Sequence, residues 1–85
     1  MFRTEEISTK VQEWILEHFP LARERKISPS HSLLESGIVD SLGILDILLF
    51  LEQEFKFTVE EDEMVEDHFE SMDSITKYVE SKLAD

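Results

Sequence analysis

The chain has 85 residues, with 20 acidic against eight basic side chains, a formal net charge of −12, 41 % hydrophobic residues and no cysteine. That length predicts a single small domain over residues 1–85, with an ordered core over about 4–83, and the missing cysteines exclude disulfides, thiolate zinc sites and cysteine nucleophiles. The acidity argues against DNA or RNA, whose phosphates it would repel, and against anionic membranes. It leaves basic protein surfaces as natural partners, unless the charge serves only solubility.

In chain order, Met1-Phe2-Arg3-Thr4-Glu5-Glu6 places acids where a signal peptide needs an apolar core. No apolar run reaches membrane-spanning length, because Asp46 interrupts the longest one. A cytoplasmic protein is the expectation. Thr4 reads as the N-cap of a first helix with Glu5 and Glu6 in its first turn. Ile7, Val11, Trp14, Ile15 and His18 follow helical spacing, and Pro20 ends the run. An irregular loop is predicted from there to Asp40. Within it, Ile27-Ser28-Pro29 is extended or turned, and Ser32-Leu33-Leu34-Glu35 fits a capping box on a short helical turn that Gly37 closes. Leu33, Leu34, Ile38 and Val39 can pin this loop to the core.

A second main helix is predicted over about 41–55. Phe57-Thr58-Val59 alternates like a short extended link, Glu60 to Glu63 is an acidic patch, and Met64 to Phe69 can make one helical turn. Ser71 is a good N-cap for a last helix with Met72, Ile75, Tyr78 or Val79, and Leu83 on one side. With no hairpin turn pairs and no repeats, the class is all-α: three main helices plus one short helix in a small bundle.

The most informative stretch is Gly37-Ile38-Val39-Asp40-Ser41-Leu42, which runs directly into an apolar helix. Either Asp40 or Ser41 can cap that helix. The same position also sets the Ser41 hydroxyl where free N–H groups and the helix dipole favour a phosphate. With residues placed about 100° apart, Ile44, Ile47, Leu48, Leu51 and Phe55 form the core face. Leu42, Leu45 and Leu49 form a second arc next to Ser41, with Asp46, Glu52, Gln53 and Glu54 around these arcs. A bundle this small cannot readily bury both arcs, so the second is expected to be a contact stripe for other proteins, a broader core face being the alternative.

These residues together resemble the acyl carrier protein family. Glu35-Ser36-Gly37-Ile38-Val39-Asp40-Ser41-Leu42 is similar to that family's approach to its second helix, Leu51-Glu52-Gln53-Glu54-Phe55 to the acidic end of that helix, and His68-Phe69-Glu70-Ser71-Met72-Asp73-Ser74-Ile75 to the lead into its fourth. The resemblance implies a four-helix fold in a stand-alone carrier that catalyses nothing itself. It implies a 4′-phosphopantetheine arm, derived from coenzyme A, on Ser41, with Asp40 helping to place the metal of the attaching transferase. It implies that Leu42, Leu45, Asp46, Leu49 and Glu52 meet partner enzymes: the phosphopantetheinyl transferase and those that load or transfer acyl or aminoacyl groups. The implied setting is fatty acid, polyketide or specialised lipid or peptide synthesis.

Gly43 and Ile44 stand where carriers of fatty acid synthesis commonly have an acid and a small polar residue. Gly43 is also similar to stand-alone carriers of aminoacyl groups, D-alanyl carriers included, which directs the expectation toward a specialised pathway. A cleft for a cargo chain is expected among Ile47, Leu48, Leu51, Phe55, Ile75 and Val79. Arg23-Glu24-Arg25-Lys26 reads as a solvated loop. His18, His31 and His68 lack metal-ligand spacing, Ser41 lacks a Gly-x-Ser-x-Gly elbow, and Glu60 to Glu63 lacks the glycine of a calcium loop, so no metal site or catalytic residue is expected. The other functional class is an unmodified acidic adaptor that docks the same helix into a partner's groove.

Overall fold

A computed structural model describes residues 3–84; Met1 and Phe2, part of the N-terminal stretch read above, lie outside the described residues. The described chain is all-helical. Helices α1 (Thr4–His18), α2 (Pro20–Glu24), α3 (Ser41–Phe55), α4 (Glu66–Phe69) and α5 (Met72–Leu83) follow in order, with a 3-10 turn over Glu61–Glu63 before α4. The three long helices are those predicted, and α3 is the helix read as second from the sequence. Its bounds match the expectation residue for residue.

The helix starts and stops follow local chemistry, with some corrections. The N-cap of α1 is Arg3, not Thr4, and it makes no side-chain cap bond. Thr4 is instead helical, and its Oγ1 donates to Glu80 Oε2 at 2.5 Å, tying the start of α1 to α5. Pro20 does end α1, through an extended Phe19, but it also opens α2 inside the segment predicted to be irregular. A proline at the first helical position needs no N–H and already has helical φ. The Ser32 hydroxyl accepts from the Glu35 N–H at 3.1 Å, as the capping-box reading requires, yet residues 33–37 make turns rather than a helix. Gly37 there has φ +77°, a conformation that favours glycine. Ser71 caps α5 by accepting from the Ser74 N–H at 3.1 Å, as predicted.

The core joins α1, α3 and α5. Ile7, Val11 and Ile15 of α1 meet Ile47, Leu48, Leu51 and Phe55 of α3 and Met72, Ile75, Tyr78 and Val79 of α5. Helical spacing on each element produces these stripes. His18 is exposed, so the apolar stripe of α1 stops at Ile15. The long connection between α2 and α3 is pinned by Leu33, Ile38 and Val39, which are buried, while Leu34 is half-buried. Backbone bonds anchor it further. The Leu33 N–H donates to Glu70 O at 2.7 Å, the Asp73 N–H to Pro29 O at 3.0 Å, and the Val39 N–H to Leu33 O at 3.0 Å. These bonds set where the chain enters α3, and hence where Ser41 lies.

The acidic patch is more ordered than a solvated face. Glu60 and Glu63 form a reciprocal capping box around the 3-10 turn. Glu63 Oε1 also accepts from Lys82 Nζ at 2.8 Å and Tyr78 Oη at 3.2 Å, clasping this segment to α5. The Lys82 hydrogen bond, followed by that from the Glu60 N–H, holds the Glu63 carboxyl below the ordinary carboxylate range. A depressed carboxyl stabilises the fold above its unfolded pKa, and this contribution disappears as pH falls through the folded value. The urea midpoints of the protein and of Glu63→Gln are therefore expected to differ most near neutral pH. They should converge as the solution is acidified through and below the ordinary carboxylate range.

Candidate functional site

Ser41 is the first residue of α3, and its side chain is exposed. The cap before it is Asp40: its Oδ1 accepts from the Gly43 N–H at 2.8 Å, and its carbonyl accepts from the Ile44 N–H at 3.0 Å. Of the two residues able to cap α3, Asp40 does so, and the Ser41 hydroxyl is left available. The N–H groups of Ser41 and Leu42 have no intrahelical acceptor at this end of the helix, where the dipole favours an anion. Removing the cap in Asp40→Ala is expected to cost about 0.5–2 kcal/mol, read as a lower urea midpoint with the m-value unchanged.

Glycine at position 43 has a packing reason. A Cβ there would lie 2.9 Å from Val39 Cγ1 and 3.0 Å from Phe19 Cε1. The start of α3 thus approaches the preceding loop and the α1–α2 junction too closely for a larger residue. Composition and spacing carried no sign of this, because the contact joins segments distant in sequence.

The leucines next to Ser41 are outside the core. Leu42, Leu45 and Leu49 are 72 %, 49 % and 55 % exposed, and Asp46 between them is exposed. The expected second arc is thus real, and the broader-core alternative does not hold. Glu52, grouped with them from the sequence, is half-buried, and its Oε2 accepts from the Val59 N–H at 2.9 Å. It fastens the Lys56–Glu60 link to α3, a structural duty that sequence spacing could not disclose.

The cleft is also not where the sequence put it. Ile47, Leu48, Leu51, Phe55, Ile75 and Val79 are all buried in the core. A groove of about 240 Å³ opens instead beside Ser41. Ile44 and Leu45 of α3 form one wall, Met64, Val65 and Phe69 the other, and Glu66 stands at it. Met64 and Val65 are exposed and were missed as site residues. Their signal was two adjacent apolar residues inside an otherwise acidic run from Glu60 to Asp67.

Among the described residues, no group of three or more His, Asp or Glu could hold a metal ion, and no helix is long and apolar enough to cross a membrane. No protein-family model matches the chain. Over 74 residues, covering 87 % of this chain and 79 % of the relative, it is 28 % identical to aminoacyl carrier protein 1 of Bradyrhizobium diazoefficiens. The chain is related to the acyl carrier protein family. That relationship supports a carrier role and agrees with the small helical bundle. A carrier is in general non-catalytic and works with partner enzymes.

Proposed function

We propose that this protein carries an acyl or aminoacyl group as a thioester on a 4′-phosphopantetheine arm attached to Ser41, and presents it to partner enzymes. The observation that carries this reading is the exposed Ser41 hydroxyl at the first position of α3, beside the groove, in a chain related to carriers. The residues present fit such a group. The end of α3 offers N–H groups and the positive end of the dipole to the phosphate, and the adjoining groove can receive apolar parts of the arm or cargo. When attached, the arm supplies the thiol that holds the thioester. Asp40 orders the helix start and, next to the serine, assists the transferase's metal during attachment. Cargo from a specialised aminoacyl or acyl pathway is favoured over primary fatty acid synthesis, because the relative is named an aminoacyl carrier. The carrier acts in the cytoplasm.

Intact mass after incubation with coenzyme A and a broad phosphopantetheinyl transferase tests the reading. A gain of one phosphopantetheine group is expected. An unchanged mass would favour the unmodified adaptor, which would use the same leucine stripe without an arm. Cargo class is then read by offering the loaded protein to a malonyl transferase and to adenylating enzymes for acyl and amino acids. Efficient malonyl loading and elongation would return it to fatty acid synthesis.

Partner docking is assigned to Leu42, Leu45, Asp46 and Leu49, with Glu52 contributing charge from the edge. Reversing charge at Asp46 is the clean probe, since Glu52→Lys would also release Val59. Asp46→Lys is expected to slow transferase loading at low salt through the association rate, and the deficit should shrink as salt screens the encounter. A loading rate unaltered across the salt series would move docking to another face.

A further inference from the structure

The groove beside Ser41 is apolar on both walls, with Ile44 and Leu45 on one side and Met64 and Val65 on the other. Among the described residues, Glu66 is the only charged side chain that lines it. Glu66 is the first residue of α4 and is exposed. Its carboxylate makes no hydrogen bond or ion pair with any described residue. Glu63, three residues earlier, is by contrast engaged by Lys82, Tyr78 and the Glu60 N–H. Nor does α4 use Glu66 as a cap, since its N-cap is Val65 and no side chain caps it. A carboxylate without a structural partner thus stands at the same groove as the Ser41 hydroxyl.

We propose that Glu66 is a specificity residue: it pairs with the ammonium group of an aminoacyl cargo when the arm on Ser41 folds back over the groove. The inference rests on the carrier reading above and names the cargo class that this chain holds best. Three features select an amine-bearing cargo over a plain acyl chain. A carboxylate attracts a cation, whereas an alkyl end pressed against it would strip its water and return nothing. The groove is also wet, because Leu45, Met64 and Val65 are exposed. A long alkyl chain gains most from full burial, and the residues expected to bury one are themselves inside the core. A short cargo ending in a charge loses little by staying partly in water. Finally, an arm fixed at Ser41 keeps its end at an effective concentration on the order of millimolar. A single exposed ion pair is weak between free molecules, but at that concentration it biases where the arm's end rests.

The chain has no cysteine, so Ser41→Cys supplies a single thiol to which arms of graded length can be coupled chemically, without any transferase. One set of arms ends in an isotope-labelled glycyl amine, and the matched set ends in an acetyl group that lacks the amine. Intact mass verifies coupling, and circular dichroism verifies that each variant is folded. The amine pKa is read from its NMR shift against pH at low salt. A nearby carboxylate favours the ammonium, so Glu66→Gln is expected to lower that pKa by about 0.3 unit or more. Asp67→Asn removes the same charge from an exposed neighbour that does not line the groove, and its effect should be less than half as large. Methyl signals of Leu45 and Met64 should shift with the glycyl arm and return toward their acetyl-arm positions in Glu66→Gln. Equal effects of Glu66→Gln and Asp67→Asn would reduce the result to the general field of an acidic chain and overturn the proposal. So would an amine pKa unaltered by Glu66→Gln at every arm length. Because coupling is chemical, these outcomes are separate from the mass test of Ser41 modification, whose failure would instead remove the carrier reading.

Discussion

Ser41→Ala is expected to abolish phosphopantetheine attachment completely while leaving the helical circular dichroism and urea midpoint of the protein nearly unchanged. The separation of the two effects follows from the division of labour at the start of α3. Asp40, not Ser41, makes the cap bond to the Gly43 N–H, and the Ser41 side chain is exposed, so its hydroxyl can be removed without opening a cavity or orphaning a donor. Alanine is also a better helix former than serine. Intact mass and thermal or urea unfolding of the same samples measure both halves. A variant that still gains the arm, or an arm found on another serine, would remove the proposed function. A variant that fails to load because it unfolds would show that Ser41 has structural work absent from its contacts.

Leu51→Ala and Leu49→Ala, two residues apart on α3, should fall at opposite extremes. Leu51 is fully buried among the α1, α3 and α5 stripes, and its truncation leaves a cavity. Buried leucine truncations cost about 2–5 kcal/mol. A domain of this size has roughly 0.05–0.15 kcal/mol of stability per residue, so this single change removes a large part of the total and can unfold the protein at room temperature. Leu49 faces solvent, and its truncation should alter stability by about 0.5 kcal/mol or less. Its effect belongs in docking instead. A loss of about 1 kcal/mol or more in partner binding, or about fivefold in transferase loading at subsaturating carrier, is expected of an apolar contact at the centre of an interface. If Leu49→Ala destabilised the protein as much as Leu51→Ala, the stripe would be core. If it left loading unchanged, the stripe would not be the docking surface.

Much of this site was legible in the residues themselves. The bounds of α3, the exposure of Leu42, Leu45 and Leu49, the Ser71 cap and the core faces of α1 and α5 follow from helical period and capping chemistry, which act within a few residues along the chain. The position of Ser41 at a helix start was likewise a local matter. Proline carries two local readings, and at Pro20 only one was drawn; the extended Phe19 decides that a helix both ends and restarts there.

What local rules could not supply is whatever joins segments far apart in the sequence. Glu52 looked like one more surface acid until the fold brought the Val59 N–H to it. Nothing beside Gly43 in the sequence showed that Val39 and Phe19 would come within a Cβ's reach. The cleft was assigned to core residues because a helical wheel shows which face is apolar, not which gap closes. The fold buries those residues in the common core and leaves the groove at Met64, Val65 and Ser41. Trp14 and Phe50 lie on separate helices, so no spacing within either one could predict that they stack. The sequence by itself determined the helices, their apolar faces and the serine at the start of α3. The tertiary structure alone decided which apolar surface stays open and which polar groups are engaged, because both depend on contacts between elements that the chain order does not specify.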